Sequence, residues 1–160
     1  MGKKVQKSIC IFGAEFILEQ VHQVEDQLEG ALLGKDIEYV HQIRVASRRL
    51  RNGLACFNDC LPKKKATLWQ DNIKKITRAM GSARDLDIQI ELLDQLYEDH
   101  LDPKYKPGYR RLLLRLKQQR TKAQGKVNKT ITQLEKNHTL TNLKSQLEKI
   151  TGSAKITYLY

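Results

Sequence analysis

At 160 residues and 40% apolar content, the chain is long enough for one domain with a substantial core and gives no reason to expect two. Its formal net charge of +11 indicates a polyanionic partner such as nucleic acid, an anionic lipid surface or polyphosphate. No apolar run approaches the roughly 18 residues of a membrane-spanning helix, and the apolar stretch after the basic N-terminus is too short for a signal peptide. We therefore expect a soluble, cytoplasmic protein.

The first helix is predicted from about Ser8 to Leu33, because apolar residues recur there at intervals of three and four. Its charged residues are all acidic: Glu15, Glu19, Glu25, Asp26 and Glu29. We expect this polar face to lie in solvent or against basic neighbours, since it would repel a polyanion. Gly34 should end the helix, and the Asp36 side chain should cap the next one.

The second helix is predicted to run from Asp36 to Leu61, where Pro62 stops it. One face carries the apolar core stripe: Ile43, Ala46, Leu50, Leu54, Phe57 and Leu61. The adjoining flank carries what we call the cationic ladder: His41, Arg44, Arg48 and Arg51. Like charges at helical spacing destabilise a helix by a few tenths of a kcal/mol per pair, so the ladder favours an anionic ligand. For His41, a hydrogen bond within the bundle is the alternative.

The third helix should begin between Lys63 and Ala66 and run to Tyr97 or His100. A face away from the core carries Lys74, Arg78, Gly81 and Asp85. At Gly81 the missing side chain would let another backbone or a ligand come close.

Two carboxylates, Asp85 and Asp87, follow in this helix and are candidates for a supporting role. Residues two apart diverge by about 160° around a helix, so the pair cannot chelate one metal ion. We expect each carboxylate to orient an arginine by a bidentate hydrogen bond.

The fourth helix is predicted from about Pro107 to Asn137, after a turn around Pro103. Its apolar stripe is Leu112, Leu113, Leu116, Ala123, Val127, Ile131 and Leu134. Arg120 falls inside this stripe, where an unpaired guanidinium would cost several kcal/mol, so it needs a carboxylate or an anionic ligand. Lys117 flanks it. The remaining cations should be solvated on the far face: Arg111, Arg115, Lys122, Lys126 and Lys129.

A last short helix is predicted from Leu140 to about Gly152. The fold class is therefore all-α, an antiparallel bundle of four long amphipathic helices plus a short C-terminal helix, with the whole chain, 1–160, as one domain. Cys10, Cys56 and Cys60 include no CxxC pair, and we expect reduced thiols in a cytosolic protein, with no metal site and no cofactor.

Two stretches resemble the CHAD domain, an all-helical family named for its histidines. They are Val40 to Arg51 (VHQIRVASRRLR) and Met80 to Asp87 (MGSARDLD), and the likeness extends less sharply over most of the chain. The family is known for binding inorganic polyphosphate through basic residues lining a groove or pore, often beside a triphosphate-processing domain. Carried over by position, the implied contacts are His41, Arg44, Arg48, Arg49, Arg51, Lys74, Arg78, Arg84, Lys117 and Arg120.

Family members usually contain two similar four-helix halves, whereas this chain matches one. Either this sequence is a fragment, or two copies pair to rebuild the pore. We expect a homodimer, because an apolar face meant for the other half must otherwise be covered. The alternative function is a helical RNA or DNA binder, which the charge favours and the few aromatic residues disfavour. An enzyme that hydrolyses phosphoanhydrides is disfavoured, since the sequence has no glycine-rich phosphate loop, HExxH motif or larger carboxylate cluster.

Overall fold

The fold is all-α, as the sequence predicts. A computed structural model of the chain describes residues 2–99 and 102–155. Its helices are α1 (Gly2–Leu33), α2 (Ile37–Cys56), α3 (Lys63–Asp99), α4 (Lys106–Lys136) and α5 (Thr139–Lys155). The first four are long and antiparallel, with short 3-10 turns at Asn58–Cys60 and Pro103–Tyr105. None of the described helices is both long and apolar enough to cross a bilayer.

The connection between α1 and α2 has the helix end and the helix cap that the sequence predicts. Gly34 adopts a positive φ of 64°, a conformation that glycine tolerates best, and its N–H donates to the Gly30 carbonyl. The Asp36 side chain then accepts a hydrogen bond of 2.8 Å from the Glu38 N–H. This N-cap satisfies one of the free amides of the first turn and sets where α2 begins.

Several helix bounds differ from the prediction. α2 ends at Cys56, and the backbone tightens into 3-10 geometry at Asn58–Cys60 instead of remaining α-helical to Leu61. Leu61 itself is extended, with φ −116° and ψ 153°, because the ring of the following proline disfavours the α conformation there. α1 begins earlier than predicted and α5 ends later, and His100, a predicted end of α3, lies outside the described residues.

The core lies between α1, α2, α3 and α4, each packed on its neighbour in chain order, with α5 against α1. The largest fully buried side chains come from every helix, including Ile17, Leu50, Ile73, Ile131 and Leu147. The acidic polar face of α1 does meet a basic neighbour, since Lys144 Nζ of α5 donates to Glu25 Oε2 at 2.7 Å. The bundle therefore buries apolar stripes from all five helices and leaves the basic faces of α2, α3 and α4 outside.

α3 and α4 extend past the end of α2 as a helical hairpin. The first residue of α2, Ile37, lies beside Asp87 to Gln95 of α3, so the last turns of α3 have no α2 neighbour. Leu112 of α4 is 47% exposed, because α1 ends beside Gln124, about three turns away along α4, and its assignment to the buried stripe was wrong. The outer side of α3 here carries three exposed apolar residues at helical spacing: Ile88, Leu92 and Leu96.

Aromatic packing closes the hairpin near its tip. The rings of Tyr97 and Tyr109 stack with centroids 5.4 Å apart, and Arg110 Nη2 donates to the Tyr97 hydroxyl at 3.0 Å. Burial raises the pKa of the Tyr109 hydroxyl, and the nearby negative charge of Asp94 raises it further.

The expectation of reduced thiols is wrong for two of the three cysteines. Cys10 of α1 and Cys60 of the 3-10 turn form a disulfide with a Cα–Cα distance of 5.4 Å, and Cys56 is exposed and free. Sequence spacing did not reveal this pair, because 50 residues separate the partners and only the packing of α1 on α2 brings them together.

Candidate anion-binding surface

Arg44 of α2 packs against Gly81 of α3. A Cβ placed on Gly81 would lie 3.6 Å from Arg44 Nε, which is an ordinary van der Waals distance. The sequence predicted that another backbone or a ligand could come close at Gly81; among the described residues the neighbouring group is the Arg44 side chain, and it would leave room for a Cβ. The contact also fixes the register of the two antiparallel helices at the level of these residues.

This register places cations of α2 and α3 side by side. Arg48 lies about one turn beyond Arg44, and Arg78 lies about one turn before Gly81, so the two arginines are level with each other. Arg51 and Lys74 are level with each other one further turn away. We call this set the α2–α3 surface: Arg44, Arg48, Arg51, Lys74 and Arg78. All five side chains are exposed or half-buried, and within the described part of the chain none of them forms an ion pair.

Arg49 lies on a different side of α2. It precedes Gly53 by one helical turn, and Gly53 packs against Phe16 and Ile17 of α1. Arg49 is exposed on the α1 side and is therefore not grouped with the α2–α3 surface.

His41 and Arg84 lie level with each other, about one turn from Arg44 and Gly81 on the same helix pair. Both are half-buried, and the buried atoms His41 Nδ1 and Arg84 Nε have no hydrogen-bond partner. The alternative role for His41 was a hydrogen bond within the bundle, and its Nδ1 forms none with the described residues. Buried polar atoms normally find a partner, so this end of the helix pair retains unused hydrogen-bonding capacity.

Arg120 and Asp87 form a buried ion pair between α4 and α3. Arg120 Nε lies 2.5 Å from Asp87 Oδ1, and the two side chains are 14% and 2% exposed. Arg120 Nη1 also donates to Gln124 Oε1 at 2.9 Å, and Gln124 Nε2 donates to the Ala31 carbonyl of α1 at 2.8 Å. Arg120 was predicted to need a carboxylate or an anionic ligand, and the structure supplies a carboxylate. The resulting network joins three helices inside the bundle.

The expected bidentate forks are not formed. Asp87 contacts Arg120 through one oxygen only, and its buried Oδ2 has no partner. Asp85 is exposed and forms no ion pair with any described residue. The helix turn between the two aspartates points them to different sides, so only Asp87 faces α4.

Lys117 is also apart from the α2–α3 surface. Its Nζ lies 3.9 Å from Asp94 Oδ2 on the protruding hairpin, and both groups are about half exposed. The structure thus gathers cations of α2 and α3, keeps Arg120 in the interior and leaves Lys117 on the hairpin. The continuous groove lined from three helices stays a prediction.

A cavity of about 300 Å³ opens on the other side of α3, beside Arg78. We call it the α3–α4 cavity, and its lining is Arg78, Ala79, Ser82, Ala123, Lys126, Lys129 and Thr130. Sequence reasoning assigned Lys126 and Lys129 to a solvated face. Their spacing of three residues, next to small residues on α4, was the available signal that they share a concave site.

Comparison with known proteins gives one match. Residues 15–156 match the family model described as CHAD domain. No curated protein and no solved structure matches the chain. Among the described residues, no group of three or more His, Cys, Asp or Glu side chains is arranged to hold a metal ion.

Proposed function

The chain belongs to the CHAD family, and from this premise we propose that it binds inorganic polyphosphate through the α2–α3 surface. The observation that carries the proposal is the grouping of Arg44, Arg48, Arg51, Lys74 and Arg78 on two adjacent helices. Uncompensated like charges at this spacing repel one another, and a linear polyanion lying across them would relieve the repulsion.

The chemistry of the ligand suits these groups. Polyphosphate has no base edges to read, so recognition rests on charge and on guanidinium groups that hold phosphate oxygens by two hydrogen bonds. The packing of Arg44 along Gly81 restricts that side chain before the ligand arrives, which lowers the entropic cost of binding. Longer chains should bind more tightly, because each added phosphate reaches further cations.

The proposed activity is binding and not hydrolysis. Incubation of the protein with polyphosphate and Mg²⁺ should release no inorganic phosphate above the buffer control. Release that requires both Mg²⁺ and the His41 side chain would instead identify an enzyme.

Titration of polyphosphates of graded length tests the proposal. Arg44→Ala with Arg48→Ala removes two phosphate contacts, and loss of two charge-assisted hydrogen bonds predicts an affinity about 100-fold weaker. The slope of log K against log salt should fall by about 1.4, at roughly 0.7 per contact. Arg111→Ala with Arg115→Ala is the matched control, since both arginines are exposed on the protruding part of α4.

The competing function is recognition of RNA or DNA. Binding to polyphosphate that survives excess tRNA supports the proposal. Displacement by tRNA, or affinity unchanged in the Arg44 and Arg48 double variant, would contradict it.

We further propose that a second copy of the chain covers the exposed apolar residues of the hairpin. Ile88, Leu92 and Leu96 form an exposed apolar line on the outer side of α3, of the kind that a second copy could cover. Light scattering should therefore give a dimer, and Leu92→Lys should give a monomer. Leu68→Lys is the control, because Leu68 is exposed on α3 outside this line. Wild-type protein that is monomeric at all concentrations would exclude the dimer.

The cellular setting stays a prediction. A triphosphate-processing partner is implied by the family resemblance alone. The cytoplasmic location expected from the sequence rested partly on reduced thiols, and the Cys10–Cys60 disulfide removes that argument.

A further inference from the structure

The α3–α4 cavity is lined by positive charge, and none of its described lining residues is acidic. Arg78, Lys126 and Lys129 line it, and Ser82 adds a hydroxyl group. Ala79 and Ala123 supply the space, because neither side chain extends beyond a methyl group. A volume of about 300 Å³ accommodates a phosphate group with part of its chain or hydration shell.

The register between α3 and α4 explains why these cations meet. The Asp87–Arg120 pair sets the two antiparallel helices level at that point. Arg78 precedes Asp87 by nine residues and Lys129 follows Arg120 by nine, so the two cations are level with each other about 13 Å along the helix axes from the pair, and both line the cavity. The buried ion pair thus positions a cation cluster that is well separated from it.

Arg78 belongs to both features. It is level with Arg48 on the α2 side and lines the cavity on the α4 side. Arg48, Arg78 and Lys129 therefore form a band across three helices, roughly 20 Å long from two helix spacings of 8–10 Å. On α4 the exposed cations of this band are Lys126 and Lys129, while Arg120 is held inside by Asp87.

We infer that the α3–α4 cavity is a phosphate-binding site, and that a linear polyphosphate crosses α3 from the α2–α3 surface to end in it. This inference rests on the proposed function and names a part of the path that the sequence did not indicate. A long chain occupies the whole band, whereas tripolyphosphate occupies the cavity alone.

Two variants test the cavity. Lys126→Gln with Lys129→Gln removes its α4 charges, and Ala79→Leu fills it without changing the charge. Lys35→Gln with Lys104→Gln is the charge-matched control, because both lysines are exposed in connections away from the cavity. Circular dichroism should show that each variant is folded before its binding is measured.

Expected results differ for the two probes. Long polyphosphate should bind at least tenfold more weakly to both cavity variants than to the control, with the salt slope reduced by about 1.4 only in the lysine variant. Tripolyphosphate should lose affinity in the cavity variants and keep it in the Arg44 and Arg48 double variant.

The possible outcomes test the cavity site and the proposed function separately. If both cavity variants bind polyphosphate as tightly as the wild type does, the cavity is not a phosphate-binding site, and the proposed function still stands. If the lysine variant weakens polyphosphate binding but Ala79→Leu does not, the cavity site is also overturned, since the lysines would then act only through general charge. A wild-type protein that binds neither probe would overturn both.

Discussion

The buried pair between Arg120 and Asp87 gives the sharpest prediction, because it separates a structural arginine from a ligand-binding one. Arg120→Met leaves the Asp87 carboxylate 2% exposed with no cationic partner. Breaking one half of a buried ion pair costs about 3–5 kcal/mol of unfolding free energy, equivalent to a fall of roughly 10 °C in Tm for a chain of this size.

The double variant Arg120→Met with Asp87→Leu completes the cycle. Apolar residues that replace both partners leave no uncompensated charge, so its unfolding free energy should lie within about 1 kcal/mol of the wild-type value. Urea denaturation followed by circular dichroism measures the wild type, Arg120→Met, Asp87→Leu and the double variant, and the coupling energy between the two sites should be about 3 kcal/mol.

Polyphosphate affinity of the folded double variant then decides the role of Arg120. A structural role predicts affinity close to that of the wild type. The reasoning is refuted if Arg120→Met loses less than about 1 kcal/mol, or if the stable double variant loses as much affinity as the Arg44 and Arg48 variant.

Three further predictions concern single contacts. Reduction of the Cys10–Cys60 disulfide should lower the unfolding free energy by about 4 kcal/mol, from the entropy of closing a loop of 50 residues; unreduced native protein should show one free thiol, and three would disprove the bond. Gly13→Ala should destabilise α1 by about 1–3 kcal/mol, because the new Cβ overlaps the ring of Phe57. The control is Gly125→Ala, at an open position on α4, and its unfolding free energy should rise by about 0.5–1 kcal/mol. Equal unfolding midpoints for the Gly13→Ala and Gly125→Ala variants would contradict the overlap. Gly81→Leu should displace Arg44 and weaken polyphosphate binding while Gly81→Ala does not; equal affinities would show that this packing is irrelevant.

The local features of this protein could be predicted from the amino-acid sequence alone. Helix class, the Asp36 cap, the break at Gly34 and the outward cations of α2 all follow from the period of 3.6 residues and from the chemistry of single side chains. The sequence also predicted that Arg120 needs a carboxylate or an anionic ligand, because its position inside an apolar stripe is a local property.

Contacts between residues far apart in the chain could not be predicted in this way and follow from the packing of the helices. The pairing of Arg120 with Asp87, the Cys10–Cys60 disulfide and the cavity of Arg78 with Lys126 and Lys129 all depend on the register between helices. The exposure of Leu112 depends on where α1 ends beside α4. Helical periodicity states which way a side chain faces, but the neighbour it faces is set by packing between segments far apart in the chain.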